Sequence, residues 1–232
     1  MSGARERASW TGGFPFLAML GDEERRRVAR LSTERNCRRG QVLFYQGEEL
    51  AHLSCILHGH VKLFKTDPQG REMVIRFLGP GEVAGFRPLL ADEPCAAAAE
   101  CVTAARLRLV PRTLLLELVD SCRPFARHLL ARLARELRES EERWLARQGE
   151  SAERRVRRFL AQLAAPGNPA AAATMLIDVP KFEIARAADI TPSTLSRILG
   201  RLAQRGLIRV EPRGITVLAA RELERSPDRP SS

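Results

Sequence analysis

Between Cys37 and Pro111 the apolar positions fall in short runs of β type: Gln41–Tyr45, Leu53–Leu57, Val61–Thr66, Glu72–Leu78 and Ala105–Val110. Gly47-Glu48, His58-Gly59-His60, Asp67-Pro68-Gln69-Gly70 and Gly79-Pro80-Gly81 separate them. Turn signals at intervals of about 8–12 residues predict a compact all-β roll. A short helix over Asp22–Leu31 precedes it, with Leu17, Leu20, Val28 and Leu31 placed to face the roll.

After Pro111 the period becomes helical. From Pro124 to about Gln148, Ala126, Leu130, Leu133, Leu137, Ser140 and Trp144 alternate four and three residues apart. Heptad spacing makes a narrow apolar seam that a twin helix satisfies, while Arg127, Arg132, Arg135, Glu136, Glu139, Glu141 and Glu142 keep the other faces wet. Leu130, Leu133, Leu137 and Trp144 are the expected dimerisation residues, against the alternative that the helix packs on its own domain. Phe125 and Leu129 form a second apolar face toward the roll. A basic helix follows, Ser151–Ala164, with Val156, Phe159, Leu160 and Leu163 on one side and Arg154, Arg155, Arg157 and Arg158 on the other. Pro166-Gly167-Asn168-Pro169 and the alanines to Ala173 end it in a loop. The expected organisation is α+β: a β-roll over 14–123, a dimerisation helix over 124–149 and a second domain over 150–221.

The strongest signal lies between Lys181 and Leu218. Lys181–Ala188 has helical composition, Asp189-Ile190-Thr191 makes a turn, and Pro192–Gln204 opens with Thr191 as N-cap and Pro192 at the first helical position. Two helices joined by three residues form a helix-turn-helix. Asp189 stands where the turn favours a left-handed backbone, which aspartate tolerates better than most residues. In the second helix Leu195, Ile198, Leu199 and Leu202 recur at helical spacing and are expected to be buried, leaving Ser193, Ser196, Arg197, Gly200 and Arg201 on the opposite face. There a recognition helix meets base edges. Arg197 suits a guanine, since its planar fork matches O6 and N7 together, and Ser193 and Ser196 suit base or phosphate. Thr194, Arg201, Lys181 and Arg205 suit phosphates, which give affinity without sequence information. The alternative is a merely solvated basic face. Gly206–Val210 and Ile215–Leu218, joined by Glu211-Pro212-Arg213-Gly214, read as a hairpin wing with Arg213 at its tip, within reach of a phosphate.

Charge supports this reading. The chain carries a formal net charge of +10, and residues 151–232 hold 14 Lys/Arg against 8 Asp/Glu, while residues 1–150 are nearly balanced at 24 against 20. No run of eighteen apolar residues occurs, and Arg5, Glu6 and Arg7 stand where a signal peptide would be apolar, so a cytoplasmic protein without membrane contact is expected. Cys37, Cys55, Cys95, Cys101 and Cys122 are odd in number and form no Cys-x-x-Cys pair, which signals neither a disulfide framework nor a zinc site. No nucleophile–base pairing, metal-ligand spacing or phosphate-loop glycine pattern is present, so no catalytic residue, no metal and no enzyme activity is expected.

From about Phe14 to Leu218 the chain resembles the CRP/FNR family of bacterial regulators. The resemblance is carried by Arg39-Gly40-Gln41-Val42-Leu43-Phe44-Tyr45-Gln46-Gly47-Glu48, Gly59-His60-Val61-Lys62-Leu63, Gly70-Arg71-Glu72, Gly79-Pro80-Gly81-Glu82, Thr194-Leu195-Ser196-Arg197-Ile198-Leu199 and Gly206-Leu207-Ile208. It implies a double-stranded β-helix of the cyclic-nucleotide-binding type, a homodimer on a palindromic operator in double-stranded DNA, and contact with RNA polymerase. It also implies a small-molecule effector pocket around Gly85, Phe86, Arg87, Cys95 and Ala96.

Cyclic-AMP-binding members of the family carry a glutamate and an Arg-Ser pair at positions that here read Phe86 and Cys95-Ala96. Without them no obvious residue neutralises a cyclic phosphate or accepts a ribose hydroxyl, and Arg87 suits a different anion, with cyclic-nucleotide binding left as the alternative. Iron–sulfur members carry N-terminal cysteines, and none precedes Cys37. Cys55 and Cys101 read as core, Cys37, Cys95 and Cys122 as thiol-sensor candidates or plain small residues, and His52, His58, His60 and His128 as haem-ligand candidates or ordinary histidines. No cofactor is named by the sequence. One branch of the family has a glutamate at the position of Ser193, whose loss removes an acceptor suited to a cytosine amino group. Three readings stay open: an effector-modulated regulator, a ligand-independent regulator with a degenerate roll, and a haem, thiol or gas sensor.

Overall fold

The computed structural model describes residues 10–146, 151–164, 175–212, 214–219 and 222–223. The loop expected around Pro166–Ala173 and the wing-tip Arg213 lie outside them. In chain order the elements are α1 (Asp22–Leu31), β1 (Thr33–Cys37), β2 (Val42–Phe44), β3 (His52–His58), β4 (Val61–Thr66), β5 (Glu72–Leu78), β6 (Val83–Ala84), α2 (Phe86–Ala91), β7 (Ala98–Cys101), β8 (Ala105–Pro111), α3 (Arg112–Ser121) and α4 (Arg123–Ala146). After these come α5 (Ala152–Ala164), β9 (Met175–Ile177), α6 (Lys181–Ala187), α7 (Pro192–Gln204), β10 (Ile208–Glu211) and β11 (Gly214–Val217).

Eight strands form two antiparallel sheets, ordered β1-β8-β3-β6 and β2-β7-β4-β5. One buried cluster joins them, with Cys37, Ile56, Ala84 and Leu107 from the first and Phe44, Val61, Leu78, Ala99 and Cys101 from the second. Gly59 turns β3 into β4 at φ 83°, and a Cβ there would stand 2.2 Å from the Ala104 carbonyl oxygen, so no other residue fits. The outer side of the first sheet is covered by the N-terminal segment, α1, α3 and the start of α4: Phe14, Phe16, Leu17, Leu20 and Val28 meet Leu53, Val110, Leu115, Leu118, Phe125 and Leu129. Phe125 and Leu129 therefore face the roll as the periodicity indicates. Leu31 does not, being 44% exposed at the last position of α1, where the chain leaves for β1.

The C-terminal unit builds its own core from Val156, Phe159, Leu160 and Leu163 of α5, Ile184 of α6, Leu195, Ile198, Leu199 and Leu202 of α7, and Ile208, Ile215 and Val217 of a three-stranded sheet ordered β10-β11-β9. Arg157 departs from the expected solvated face of α5. It is 4% exposed and donates to the Glu222 carbonyl at 2.6 Å, because the segment after β11 folds across that side of the helix.

The two units share an apolar contact. Val74, Phe77 and Val102 of the roll belong to the same apolar cluster as the C-terminal core, and Phe77 meets Phe159 edge to face at 5.7 Å between ring centres. Around it, Lys62 of β4, fully buried, lies 2.9 Å from Glu72, 3.4 Å from Glu100 and 3.4 Å from Glu183 of α6. Burial works against its charge, but the hydrogen bond to Glu72 and the charges of Glu183 and Glu100 outweigh that and hold the Lys62 ammonium above its ordinary range. Arg186 of α6 also pairs with Glu72, at 2.5 Å. His60 sets its Nε2 3.4 Å from the Leu163 carbonyl oxygen, and burial pushes its pKa below the usual histidine value.

Candidate nucleic-acid interface and effector cavity

Helix α7 is positioned from both ends. Thr191 accepts the Thr194 backbone N–H at 3.2 Å, Pro192 occupies the first helical turn, and Asp189 takes φ 51° at the turn before it. Four leucine and isoleucine side chains, Leu195, Ile198, Leu199 and Leu202, anchor the helix on the core. The opposite face is left to solvent: Ser193, Ser196, Arg197, Gly200 and Arg201 are exposed, Thr194 is half-buried, and Lys181 is exposed at the start of α6.

Arg197 Nη2 donates to Thr194 Oγ1 at 3.4 Å, which holds the guanidinium toward the N-terminal end of the helix. Arg201 and Arg205 are tied differently. Both pair with Glu153 of α5, at 3.0 and 3.2 Å, so two of the expected phosphate partners sit on an internal carboxylate. Glu153, Arg154, Thr194, Arg197, Arg201 and Arg205 line one open cleft of about 440 Å³ between α5 and α7. Neither Arg154's share in this face nor the Glu153 tether was read from the sequence, because periodicity orders residues within one helix and cannot link two helices almost fifty positions apart.

A second cavity, of about 220 Å³, lies between the roll and α4. Gly85, Phe86, Arg87, Cys95 and Ala96 all line it, so the five residues taken from the family resemblance share one site. Gly85 caps α2 at φ 88°, where a Cβ would press to 2.5 Å from Leu50. Four charged residues unforeseen in the sequence complete the walls: Arg76 from β5, Glu93 after α2, and Arg132 and Glu136 from α4. Arg132 stacks its guanidinium 5.3 Å over the Phe86 ring and donates to Glu136 at 3.3 Å. Arg76 donates to Glu82 at 2.5 Å, and burial pushes the Glu82 carboxyl above the usual carboxylate range despite that neighbour.

The thiol-sensor candidates Cys37 and Cys95 are buried. Burial pushes the Cys95 thiol up to about 11 and the Cys101 thiol to about 12, which keeps both protonated and unreactive near neutral pH. Cys122 is half-buried. His60 is buried in the contact between the units, while His52 and His58 are exposed, and among the described residues no group of three or more His, Cys, Asp or Glu side chains is placed to hold a metal ion. No helix of the described residues is long and apolar enough to cross a membrane.

On α4, Leu130 and Leu137 stand 68% and 62% exposed. Leu133 is half-buried against the roll cluster, because α4 turns that side toward its own domain. Trp144's side chain lies outside the described residues.

Residues 34–122 match the cyclic nucleotide-binding domain family, and residues 154–226 match the Crp-like helix-turn-helix domain family. Over 213 residues the chain is 32% identical to the cyclic AMP receptor protein of Thermus thermophilus, spanning 91% of this chain and 96% of that one. It is 26% identical over 189 residues to the CRP-like cAMP-activated global transcriptional regulator of Mycobacterium tuberculosis, spanning 81% and 84%. Its structure is similar to that of FixK2 from Bradyrhizobium japonicum, with a TM-score of 0.70 and 27% identity over 83% of this chain and 95% of that one.

Proposed function

This chain belongs to the CRP/FNR family of DNA-binding transcription regulators, and from that premise we propose that it acts as a cytoplasmic homodimer, reading a palindromic operator through two copies of α7 under control of an effector at the roll. The observation that carries the proposal is the division of α7. Its apolar side is locked into the core, and its free side presents Ser193, Ser196, Arg197 and Arg201 together. In the bound state Arg197 reads a guanine edge, with Ser193 and Ser196 on neighbouring bases or phosphates. Lys181, Thr194, Arg201, Arg205 and, from the wing, Arg213 neutralise phosphates.

The dimer is built on α4 through Leu130 and Leu137, with Leu133 shared between the seam and the roll and Trp144 extending the heptad. A two-fold axis then sets the α7 helices on successive major grooves, roughly 34 Å apart. RNA polymerase is the partner at the promoter. The effector site is the 220 Å³ cavity, whose wall includes Arg132 and Glu136 of the dimerisation helix, so a ligand there touches the element that orients the two heads. At the positions where cyclic-AMP-binding members of the family carry a glutamate and an Arg-Ser pair this chain has Phe86 and Cys95-Ala96, which supply neither an acceptor for a ribose hydroxyl nor a cation for a cyclic phosphate, so an effector other than cyclic AMP fits this wall better.

Anisotropy titration of Arg197→Ala against an operator fragment tests the assignment. Loss of about 1–3 kcal/mol with relaxed preference at one base position is the expected result, and an unchanged preference profile removes Arg197 from the reading role.

A further inference from the structure

We propose that the cavity between β4, β5, α2 and α4 is a site for a small organic monocarboxylate, held by Arg76 and Arg87 and packed by its apolar body on Phe86 and Cys95. The inference rests on the reading of this cavity as the effector site and adds the chemical class of its ligand.

Four observations carry it. Strand period brings Arg76 and Leu78 to one side of β5, opposite Leu63 of β4 in register with Arg76, and all three line the cavity. Arg76 spends Nη2 on Glu82, but its Nε is shielded from solvent and has no acceptor among the described residues. A buried N–H donor without an acceptor is an unmet requirement, and a ligand oxygen in the cavity meets it once the Arg76 guanidinium turns its Nε edge into the opening. Nε and Nη2 form the guanidinium edge that a carboxylate grips in two parallel bonds, so one ligand oxygen satisfies Nε while the other shares Nη2 with Glu82.

Charge sets the valence. Arg76 is paired with Glu82 and Arg132 with Glu136, whereas Arg87 has no ion-pair partner among the described residues. Exposed Glu93, also on the wall, adds a negative charge and disfavours a dianion. Size sets the body. A cavity of about 220 Å³ is below the roughly 300–1,000 Å³ of sites for drug-sized ligands, which suits an acid smaller than a nucleotide. Most of the remaining wall is apolar, from Phe44, Leu63, Leu78, Val83 and Phe86.

The test uses the full chain and isothermal titration with hexanoate, phenylacetate, their primary amides and cyclic AMP, followed by operator titration with and without the bound acid. Each acid should bind at least tenfold tighter than its amide. Arg76→Gln combined with Glu82→Gln removes both charges of the pair without stranding a carboxylate, and should lower acid affinity at least tenfold while leaving the amide unchanged. Arg87→Gln, at an exposed position, should lower acid affinity severalfold and reduce its salt dependence. Equal binding of acid and amide, tighter binding of cyclic AMP than of either acid, or no binding of either acid overturns the proposal. Tight acid binding that leaves operator affinity unchanged upholds the ligand class and overturns the effector reading instead, so the two fail separately.

Discussion

Lys62, on a strand of the sensor roll, lies 3.4 Å from Glu183 on the first helix of the DNA-binding motif, and 121 positions of sequence separate them. The lysine side chain is 2% exposed and the glutamate 7%. A buried ion pair is a poor source of net stability but a strict one of geometry, since removing either partner strands the other charge. Lys62→Met should therefore loosen the head from the roll by about 3–5 kcal/mol, whereas the double variant Lys62→Met/Glu183→Leu should recover part of that loss, with Glu72 keeping Arg186 and Glu100 losing its cation. Hydrogen exchange of α6 amides in the two variants checks it. Equal protection in wild type and Lys62→Met would show that the contact does not hold the head.

Glu153 holds Arg201 and Arg205 on the face proposed to meet phosphates. Glu153→Gln should free both guanidiniums and raise affinity for random-sequence duplex severalfold, with a steeper salt dependence by about 0.9 in log–log slope for each phosphate gained. Unchanged affinity and slope in a salt series would place both arginines off the DNA.

His60 gives the contact between the units a pH dependence of defined sign. Burial holds its folded pKa below the ordinary 6.5, so below that value the unfolded chain takes up a proton that the folded chain refuses. Stability then falls as pH drops from about 6.5 through the folded pKa. His60→Gln keeps a donor for Leu163 without titrating. Melting temperatures measured from pH 7 to pH 5 should decline less in that variant than in wild type, and parallel declines would remove His60 as the cause.

Leu130 and Leu137 are exposed apolar side chains on one face of α4, where Leu133 is partly taken up by the roll. Leu130→Glu with Leu137→Glu should convert dimers to monomers by placing like charges across the seam, without disturbing the roll core. Sedimentation velocity checks the mass. An undisturbed dimer would move the seam elsewhere.

The sequence displays short-range order well. Val61–Thr66, Glu72–Leu78, Asp22–Leu31 and Pro192–Gln204 appear with the bounds that period and capping indicate, because turns, caps and amphipathic repeats are local signals. The two-residue strand Val83–Ala84 and the alanine-rich Ala98–Cys101 escape, since neither carries an alternation long enough to register and both are strands only through their neighbours. The same limit hides the sites' charged framework. Arg76 of β5 shares the cavity with Arg132 and Glu136 of α4, Glu153 meets Arg201 across two helices, and Lys62 meets Glu183 across two units, and each of these encounters is set by packing at long range. Arg157 shows the converse: its helix-face position marks it as solvated, and a later segment covers it.

Selection of bound duplexes from a random-sequence pool by the purified full-length protein, with and without a cell extract as a source of effector, tests the central claim most directly. The account predicts enrichment of an inverted repeat whose half-sites are centred about 10 base pairs apart, with one guanine position that loses its preference in Arg197→Ala. Recovery of no preferred sequence in either condition would contradict it.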